Sequence, residues 1–249
     1  MGNANIRTID LLSYDVFGSD LDKIEIRDNA TVVINTINAY SYVVAKRDQL
    51  FRKALQSSSV LIPDGFPVVL AARFLKGEKI KKIAGADVFF HYCKKMNHEK
   101  GKCFFMGSSE KTLEQIKNRL TKEYPEISAG FYSPPFKKEF SDEENNEIIN
   151  HINAFAPDIL FVGMTAPKQE KWVQQFNGKI NAKIIASIGA VFDFYAGTVE
   201  RPSEFWIKLN LEWFVRLLKE PKRLWKRYLI HSPIFFIDMM LAKIRLKKQ

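Results

Sequence analysis

Small, polar and acidic side chains lie at the points where several apolar runs of this sequence end. If each run is a buried parallel strand, these residues gather at the carboxyl edge of one sheet, where ligands of open α/β sheets bind. The first of them are Thr36 and Asn38 at the end of TVVINT, Asp64 and Gly65 after VLIP, and Gly107 at the end of KCFFMG. The sequence therefore predicts a single polar crevice.

The later runs end in the same way. Gly163 ends DILFVG, and Gln169 and Glu170 open the helical pattern that follows it. An acidic residue in a first helical turn also suits the helix dipole, so a solvated turn is the alternative there. Asp193 lies between two phenylalanines after KIIASIG. A carboxylate with apolar neighbours needs a partner or a ligand such as a ribose hydroxyl.

Asp64 is the residue of this set best suited to chemistry. A carboxylate at a strand end beside Gly65 can face a bound ligand closely and can act as a general base. It can equally cap the next helix, which has Pro67 in its first turn. Thr36 and Asn38 have two similar interpretations, since each can hydrogen-bond a sugar or phosphate or can cap a helix. The local sequence leaves these alternatives open.

The usual cofactor signatures are missing from the sequence. It has no GxGxxG, no GxxxxGK[ST] and no GxSxG, which disfavours dinucleotide, P-loop and serine-hydrolase chemistry. The four histidines have no metal-ligand spacing, and the two cysteines form no CxxC. A DxD pattern at Asp20-Leu21-Asp22 lies in an early polar segment, where a solvated loop is favoured over a metal site. The sequence predicts no bound metal and no cofactor.

Strand-like and helical patterns alternate along residues 31–189. Several of the strand-like runs are apolar throughout, which suits strands buried on both faces of a mainly parallel sheet. The alternation predicts a Rossmann-like α/β fold flanked by helices. Predicted strands are 31–36, 60–63, 102–107, 127–132, 158–163 and 183–189, with a small hairpin within 8–28. Predicted helices are 38–56, 67–76, 86–98, 110–123, 142–154 and 168–177.

The character of the chain changes after Arg201-Pro202. Helical patterns follow, and prolines within them fit the first turns of helices. Residues 201–249 hold 12 Lys and Arg against 4 Asp and Glu, so they carry +8 of the net charge of +10. The sequence therefore predicts a Rossmann-like domain over 1–200 and a basic, aromatic-rich helical appendage over 201–249.

The predicted appendage has two different helical faces. On a wheel of 213–228 most of the apolar side chains fall on one side. The basic residues form one arc on the other side: Arg216, Lys219, Arg223, Lys226 and Arg227. Basic and aromatic amphipathic helices suit an anionic membrane interface. A helix packed on the domain with a solvated basic face is the alternative, and the Trp and Phe content disfavours nucleic acid.

The sequence shows no targeting or membrane-spanning segment. No apolar run approaches the ~20 residues that span a bilayer, and the first residues lack the apolar core of a signal peptide. Two cysteines without a framework pattern suit a reducing compartment. With the appendage, these features predict a cytoplasmic protein attached peripherally to the inner face of the plasma membrane. A homo-oligomer is left open.

Six stretches of the chain carry a resemblance to a known family. They are INTINAYSYVVA, PDGFPVV, KIAGADVF, DILFVGMTAPKQEKW, GAVFDFYAGTVERP and LEWFVRLLKEPKRLWKRYL. In these stretches the chain resembles the WecG/TagA/CpsF family of bacterial glycosyltransferases, over nearly its whole length. The PKQEKW and EW..RL..EP.R..(K/R)RY patterns are together highly specific for that family.

The resemblance implies a reaction and its partners. Members transfer a sugar, often of N-acetylmannosamine type, from a UDP-sugar to an undecaprenyl-diphosphate-linked glycan of the cell surface, with inversion and without a metal. Asp64 matches the proposed base for the acceptor hydroxyl, with Thr36 and Asn38 beside it. Residues that the resemblance and the strand-end positions together assign to substrate binding are Gly65, Lys82, Gly107, Gly163, Gln169, Glu170, Asp193, Arg216, Arg223 and Arg227.

The chain departs from the family pattern at a few positions. Lys82 stands before Gly85-Ala86-Asp87 where an arginine is usual, so the charge is kept and the bidentate fork is lost. Thr165 and Ala190 occupy positions that are often glycine. These differences concern the donor or acceptor sugar more than the class of reaction. A non-catalytic membrane-surface module with a vestigial nucleotide crevice is the alternative function.

Overall fold

Eight β-strands form one sheet in the computed structural model, which describes residues 6–26, 30–200, 203, 205–206, 209 and 211–246, without the side chain of Arg223. The strands are β1 Thr8–Leu11, β2 Tyr14–Phe17, β3 Val32–Ile37, β4 Val60–Pro63, β5 Lys102–Gly107, β6 Ser128–Tyr132, β7 Ile159–Gly163 and β8 Ile184–Ser187. Their order is β1-β2-β4-β3-β8-β7-β5-β6. Every neighbouring pair is parallel except β1 with β2. The predicted mainly parallel sheet is confirmed.

Helices cover both faces of the sheet. One face packs against α4 Gly85–Glu99, α5 Glu110–Glu123 and α8 Val191–Ala196. The other packs against α1 Ala39–Ala45, α2 Gln49–Gln56, α3 Phe66–Lys76, α6 Asp142–Phe155 and α7 Lys168–Phe176. Strands in such a sandwich are buried on both sides, which is why their sequences are apolar at nearly every position.

The predicted elements are present, with two differences. The predicted helix 38–56 is two helices, α1 and α2, because the Asp48 carboxylate accepts the Phe51 N–H at 3.0 Å and caps a new start. Helix α8 is absent from the prediction, since six residues carry too short a repeat to reveal a helix. The hairpin is confirmed over β1 and β2, and β2 extends the sheet beside β4.

The C-terminal part is helical, as predicted. It consists of α9 Glu212–Lys219, α10 Pro221–Trp225, a π-helical segment Lys226–His231 and α11 Ser232–Leu246. Helix α11 packs against α1 and α3 and buries Phe235 and Met239 in their shared core. The Asp238 carboxylate accepts a hydrogen bond from Lys46 Nζ of the domain at 2.6 Å. The predicted boundary after residue 200 falls on Arg201, which is outside the described residues, so it stays a prediction.

The C-terminal helices leave apolar side chains exposed. Between 41% and 66% of the surface of each of five such side chains is accessible: Trp213, Phe214, Leu218, Trp225 and Leu229. Within the described part of the chain, no helix is both long enough and apolar enough to cross a membrane.

Candidate active site

The carboxyl ends of β3 and β8 form the topological switch point of the sheet. These two strands are neighbours, but the helix after β3, α1, packs on one face and the helix after β8, α8, packs on the other. Such a divergence leaves a crevice outside the strand ends, and ligands of open α/β sheets bind there. The residues around this crevice are therefore the candidates for the site.

Asn38 and Asp64 meet at this edge. The parallel strands β3 and β4 pair Ile37 with Pro63, so the residues that follow them are adjacent. Asn38 Nδ2 donates a hydrogen bond to Asp64 Oδ2 at 3.5 Å. Asn38 Oδ1 also accepts the Ser41 N–H at 3.0 Å and caps α1. Asn38 thus acts as a helix cap and as a partner of the carboxylate at the same time.

Asp64 does not cap the helix that follows it. The N-cap of α3 is Gly65, whose φ of 111° lies in a region that other residues rarely adopt. Thr36, the last residue but one of β3, is partly exposed at the same edge. The Asp64 carboxylate is therefore free of a capping role and available to a ligand in the crevice.

Charges from distant parts of the chain act on Asp64. Burial raises the pKa of its carboxyl group, while the positive charges of Arg227 and Lys82 and the hydrogen bond from Asn38 lower it. The negative charge of Glu212 raises it further, and the net direction is upward. A carboxylate with a raised pKa is a better proton acceptor, as a general base requires.

The C-terminal helices bring arginines onto both sides of the crevice. The Arg227 guanidinium lies 5.3 Å from the centre of the Tyr40 ring, at the start of α1. The Arg216 guanidinium lies 5.2 Å from the centre of the Phe194 ring on α8. Both arginines therefore contact the helices that flank the crevice. The Arg223 side chain lies outside the described residues, and its role stays a prediction.

Gly107 and Gly163 are explained by close packing at the ends of β5 and β7. A Cβ atom on Gly107 would lie 2.5 Å from the Gly163 carbonyl oxygen. A Cβ atom on Gly163 would lie 2.4 Å from the Phe192 ring. A side chain at either position would push these elements apart. The predicted contact of both glycines with substrate stays a prediction.

Gln169 and Glu170 lie inside the protein rather than on a solvated turn. Their side chains are 4% and 2% exposed. Gln169 Oε1 accepts the Gly189 N–H at 3.1 Å, and Gln169 Nε2 donates to Glu170 Oε1 at 2.8 Å. Asp193, in contrast, is half-buried in the first turn of α8, beside the crevice. The PKQEKW segment therefore joins α7 to the loop after β8, and its predicted contact with substrate stays a prediction.

This chain is similar to known proteins over nearly its whole length. The model of the glycosyl transferase WecG/TagA/CpsF family matches residues 4–249. The chain belongs to this family. Its predicted membership and its predicted enzyme class, a glycosyltransferase, are both confirmed.

Similar members of the family share one name. An N-acetylglucosaminyldiphosphoundecaprenol N-acetyl-beta-D-mannosaminyltransferase of Bacillus subtilis (strain 168) is 31% identical over 209 residues, which is 84% of this chain and 79% of that protein. Enzymes of the same name from Bacillus spizizenii (strain ATCC 23059 / NRRL B-14472 / W23) and Staphylococcus aureus (strain MW2) are 28% and 29% identical. Each alignment covers 86% of this chain, with 80% and 82% of the relative.

Two residues of this glycosyltransferase are absent from the predicted site: Tyr40, which contacts Arg227, and Glu212, whose charge acts on Asp64. Tyr40 lies only two positions after Asn38, so extending the strand-end argument by one helical turn finds it. Glu212 opens α9, and its charge reaches Asp64 only because the C-terminal helices dock on the domain. No local pattern of the sequence contains that contact.

The carboxylates of the glycosyltransferase are not clustered for metal binding in the part of the chain that the structure describes. No group of three or more His, Cys, Asp or Glu residues there could hold a metal ion. In the DxD segment, Asp20 forms an ion pair with Lys81 at 2.7 Å, and Asp22 lies 3.8 Å from His91. The two aspartates of that pattern thus have separate surface partners.

Proposed function

We propose that this glycosyltransferase moves a sugar of N-acetylmannosamine type from a UDP-sugar to an undecaprenyl-diphosphate-linked acceptor in cell-surface polysaccharide synthesis. The names of its relatives state an N-acetylmannosaminyl transfer to N-acetylglucosaminyl-diphosphoundecaprenol. The observation that carries the proposal is the Asp64 carboxylate at the switch point, held by Asn38 and facing the charge of Arg227.

The proposed reaction is a single displacement with inversion. The Asp64 carboxylate takes the proton of the acceptor hydroxyl while the hydroxyl oxygen attacks the anomeric carbon of the donor. The bond from that carbon to the β-phosphate oxygen breaks, and UDP leaves with the electron pair. Asn38 holds the carboxylate in place through its amide, so that the base is oriented before the acceptor arrives.

The geometry of the displacement assigns the polar and charged residues of the site to the acceptor side or to the donor side. The base and the leaving group lie on opposite sides of the anomeric carbon. Arg227 acts on Asp64, so we assign it to the acceptor side, where the diphosphate of the lipid carries negative charge. On the donor side, Asp193 suits a ribose hydroxyl. Backbone N–H groups at the strand ends stabilise the leaving UDP, and no metal takes part.

Transfer assays with the full-length protein test this function. UDP-sugars are supplied one at a time, with and without polyprenyl-diphosphate-linked N-acetylglucosamine, and released UDP is measured. We expect release above background only with both substrates, an inverted configuration in the product, and the same rate in excess EDTA. A chain that binds UDP and transfers no sugar from any donor to this acceptor would instead support the non-catalytic module.

We further propose that the exposed apolar side chains of the C-terminal helices rest in the inner leaflet of the cytoplasmic membrane. The acceptor carries a lipid, so its diphosphate is at the membrane surface when it reacts. Trp213, Trp225 and Leu218 are exposed near the basic residues of α9 and α10, a combination typical of interfacial helices. Arg227 and Arg216 contact the domain, so aromatic and aliphatic side chains carry most of the proposed attachment.

Leu218→Glu is expected to weaken binding to vesicles of anionic phospholipid by about tenfold or more, since it puts a charge where an exposed leucine would enter the bilayer. Leu50→Glu is the matched control, because Leu50 on α2 is 67% exposed and Leu218 is 66% exposed. Vesicle sedimentation of the full-length variants measures the effect. Equal losses in both variants, or no loss in either, would contradict attachment through the C-terminal helices. Full-length protein is needed because α11 contributes Phe235 to the core.

A further inference from the structure

Gln169 is fixed at both ends of its carboxamide. Its oxygen accepts the N–H of Gly189, and its nitrogen donates to the Glu170 carboxylate. Rotation of the carboxamide by half a turn would place a donor against a donor at Gly189 and an acceptor against an acceptor at Glu170. The Glu170 carboxylate therefore decides which way the carboxamide points, and through it supports the backbone at Gly189.

Glu170 belongs to α7, which packs on a sheet face that carries unpartnered buried oxygens. Among the described residues, five buried side-chain oxygens have no hydrogen-bond partner, and three of them lie on α7 or on the sheet: Glu170 Oε2, Ser187 Oγ and Asn35 Oδ1. Ser187 and Asn35 lie on neighbouring strands, β8 and β3, and alternate onto the sheet face that packs against α7. A proton on Glu170 would add a donor between α7 and this face of the sheet, whereas a charged Glu170 would add only a further acceptor.

We propose that Glu170 is a positioning residue for the donor side of the crevice: it orients Gln169, which holds the Gly189 amide and with it the start of α8. Gly189 follows the switch-point strand β8 with a φ of 57°, and Asp193 lies four residues further along. A shift at Gly189 therefore moves the helix that carries Asp193. The identity of the donor rests on the proposed function, whereas the hold on Gly189 does not.

The charge of Glu170 changes near neutral pH. Burial raises its pKa to about 7, against hydrogen bonds from Gln169 and from its own backbone. The charged residues on α7, on the cap and body of α2 and in the turn after α7 are Lys168, Lys171, Asp48, Arg52, Lys53 and Lys179. Lys171 and Asp48 pair with each other at 2.7 Å, and β3 and β8 hold no charged residue. The raised pKa therefore reflects burial rather than a neighbouring charge.

Neutral and charged Glu170 hold the loop differently. Neutral Glu170 carries no buried charge and can donate through Oε2 while Oε1 still accepts from Gln169. Charged Glu170 is buried away from water with no cation beside it, so α7 and the loop after β8 are expected to loosen as the pH rises through about 7. A loosened loop should bind the nucleotide of the donor less tightly.

UDP binding by the full chain between pH 5.5 and 8.5 tests the proposal, with calorimetry as the measurement. In Glu170→Gln the amide keeps an acceptor for Gln169 and replaces the acid proton with an N–H donor. We expect the ratio of the wild-type Kd to the Glu170→Gln Kd to rise about fivefold or more across this range. The ionisation of UDP is common to both proteins and cancels in the ratio. Glu170→Ala should bind UDP more weakly at every pH, and the exposed Glu99→Gln should follow the wild type.

The amide resonance of Gly189 in a ¹⁵N spectrum gives a readout that does not depend on transferase activity. In the wild type it should titrate with a midpoint near the pKa of Glu170, and in Glu170→Gln that step should be absent. Failure of the wild type to bind UDP would count against the proposed donor, while the Gly189 titration would still test the positioning. The proposal would be overturned by a Gly189 resonance that does not shift with pH. It would also be overturned if the Kd for UDP depended on pH in the same way in the wild type and in a folded Glu170→Gln.

Discussion

Asp64→Asn is expected to lower kcat by a factor of about 10² to 10⁴, the range that a general base contributes. Asparagine has the size and shape of the carboxylate but cannot take the proton of the acceptor hydroxyl. The donor makes its contacts elsewhere in the crevice, so the KM for the UDP-sugar should change little. Transfer at saturating donor and acceptor measures the change.

The same substitution is expected to preserve stability or to raise it. Burial raises the pKa of Asp64, so folding disfavours the charged form of its side chain. The stability that this group contributes is fully present below the pKa of an unfolded aspartate, and it is lost as the pH rises through the higher pKa of the folded chain. Asparagine has no charge to bury. In urea unfolding, the free energy of unfolding of Asp64→Asn, relative to that of the wild type, should therefore be higher at pH 8 than at pH 4.

Asp158→Asn is the matched control, and the opposite pattern is expected for it. Asp158 precedes β7 at the amino edge of the sheet and pairs with Lys183 at 2.9 Å. Burial raises its pKa, but hydrogen bonds from Lys183 and from the Lys102 backbone outweigh burial and leave that pKa lowered. Its loss should cost stability above the pKa of an unfolded aspartate and leave kcat unchanged. A fully active Asp64→Asn enzyme would exclude Asp64 as the base.

The sheet could be predicted because a strand that is buried on both faces is apolar at consecutive positions of the sequence. Runs such as DILFVG are apolar at every position that the sheet covers, and each is interrupted by polar residues at the strand end. The break between α1 and α2 was not predicted, because only three residues, Lys46 to Asp48, separate the two helical patterns. Helix α8 was missed because its six residues complete fewer than two turns.

The site residues likewise fall into those that the local sequence predicts and those that depend on long-range packing. Asn38 and Asp64 could be brought together from sequence, because residues that follow neighbouring parallel strands are adjacent at one edge. The burial of Glu170 could not be predicted from sequence, because a charged residue in a first helical turn usually lies in solvent. The effect of the Arg227 charge on the pKa of Asp64 could not be predicted from sequence either. It depends on α11 docking against α1 and α3, a contact between segments almost two hundred residues apart.

The docked C-terminal helices therefore do more than provide an apolar surface. They place the positive charge of Arg227 and the negative charge of Glu212 near one carboxylate, with opposite effects on its pKa. The base is assembled partly from the domain and partly from these helices. This division predicts that single charges in the C-terminal helices change the pH dependence of the reaction without any change at Asp64.

Arg227→Gln is expected to move the acid limb of the kcat/KM profile to higher pH. The base must be ionised to accept a proton, and Arg227 lowers the pKa of Asp64, so its removal lets that pKa rise. On the acid limb the rate falls about tenfold for each unit by which the limb moves. The loss should therefore be larger at pH 6 than at pH 8.5. Initial rates of transfer across this range give the measurement.

Glu212→Gln is expected to move the same limb the other way, because the charge of Glu212 raises the pKa of Asp64. Arg227→Lys should restore much of the profile, since the charge is kept, although a lysine binds a diphosphate less well than a guanidinium does. Lys222→Gln, a loss of positive charge at an exposed position of α10, is the matched control and should leave the limb in place. If Arg227→Gln and Lys222→Gln gave the same profile as the wild type, Arg227 would not act on the base during turnover. Shifts of opposite sign in Arg227→Gln and Glu212→Gln would show that the C-terminal helices set the pKa of the base.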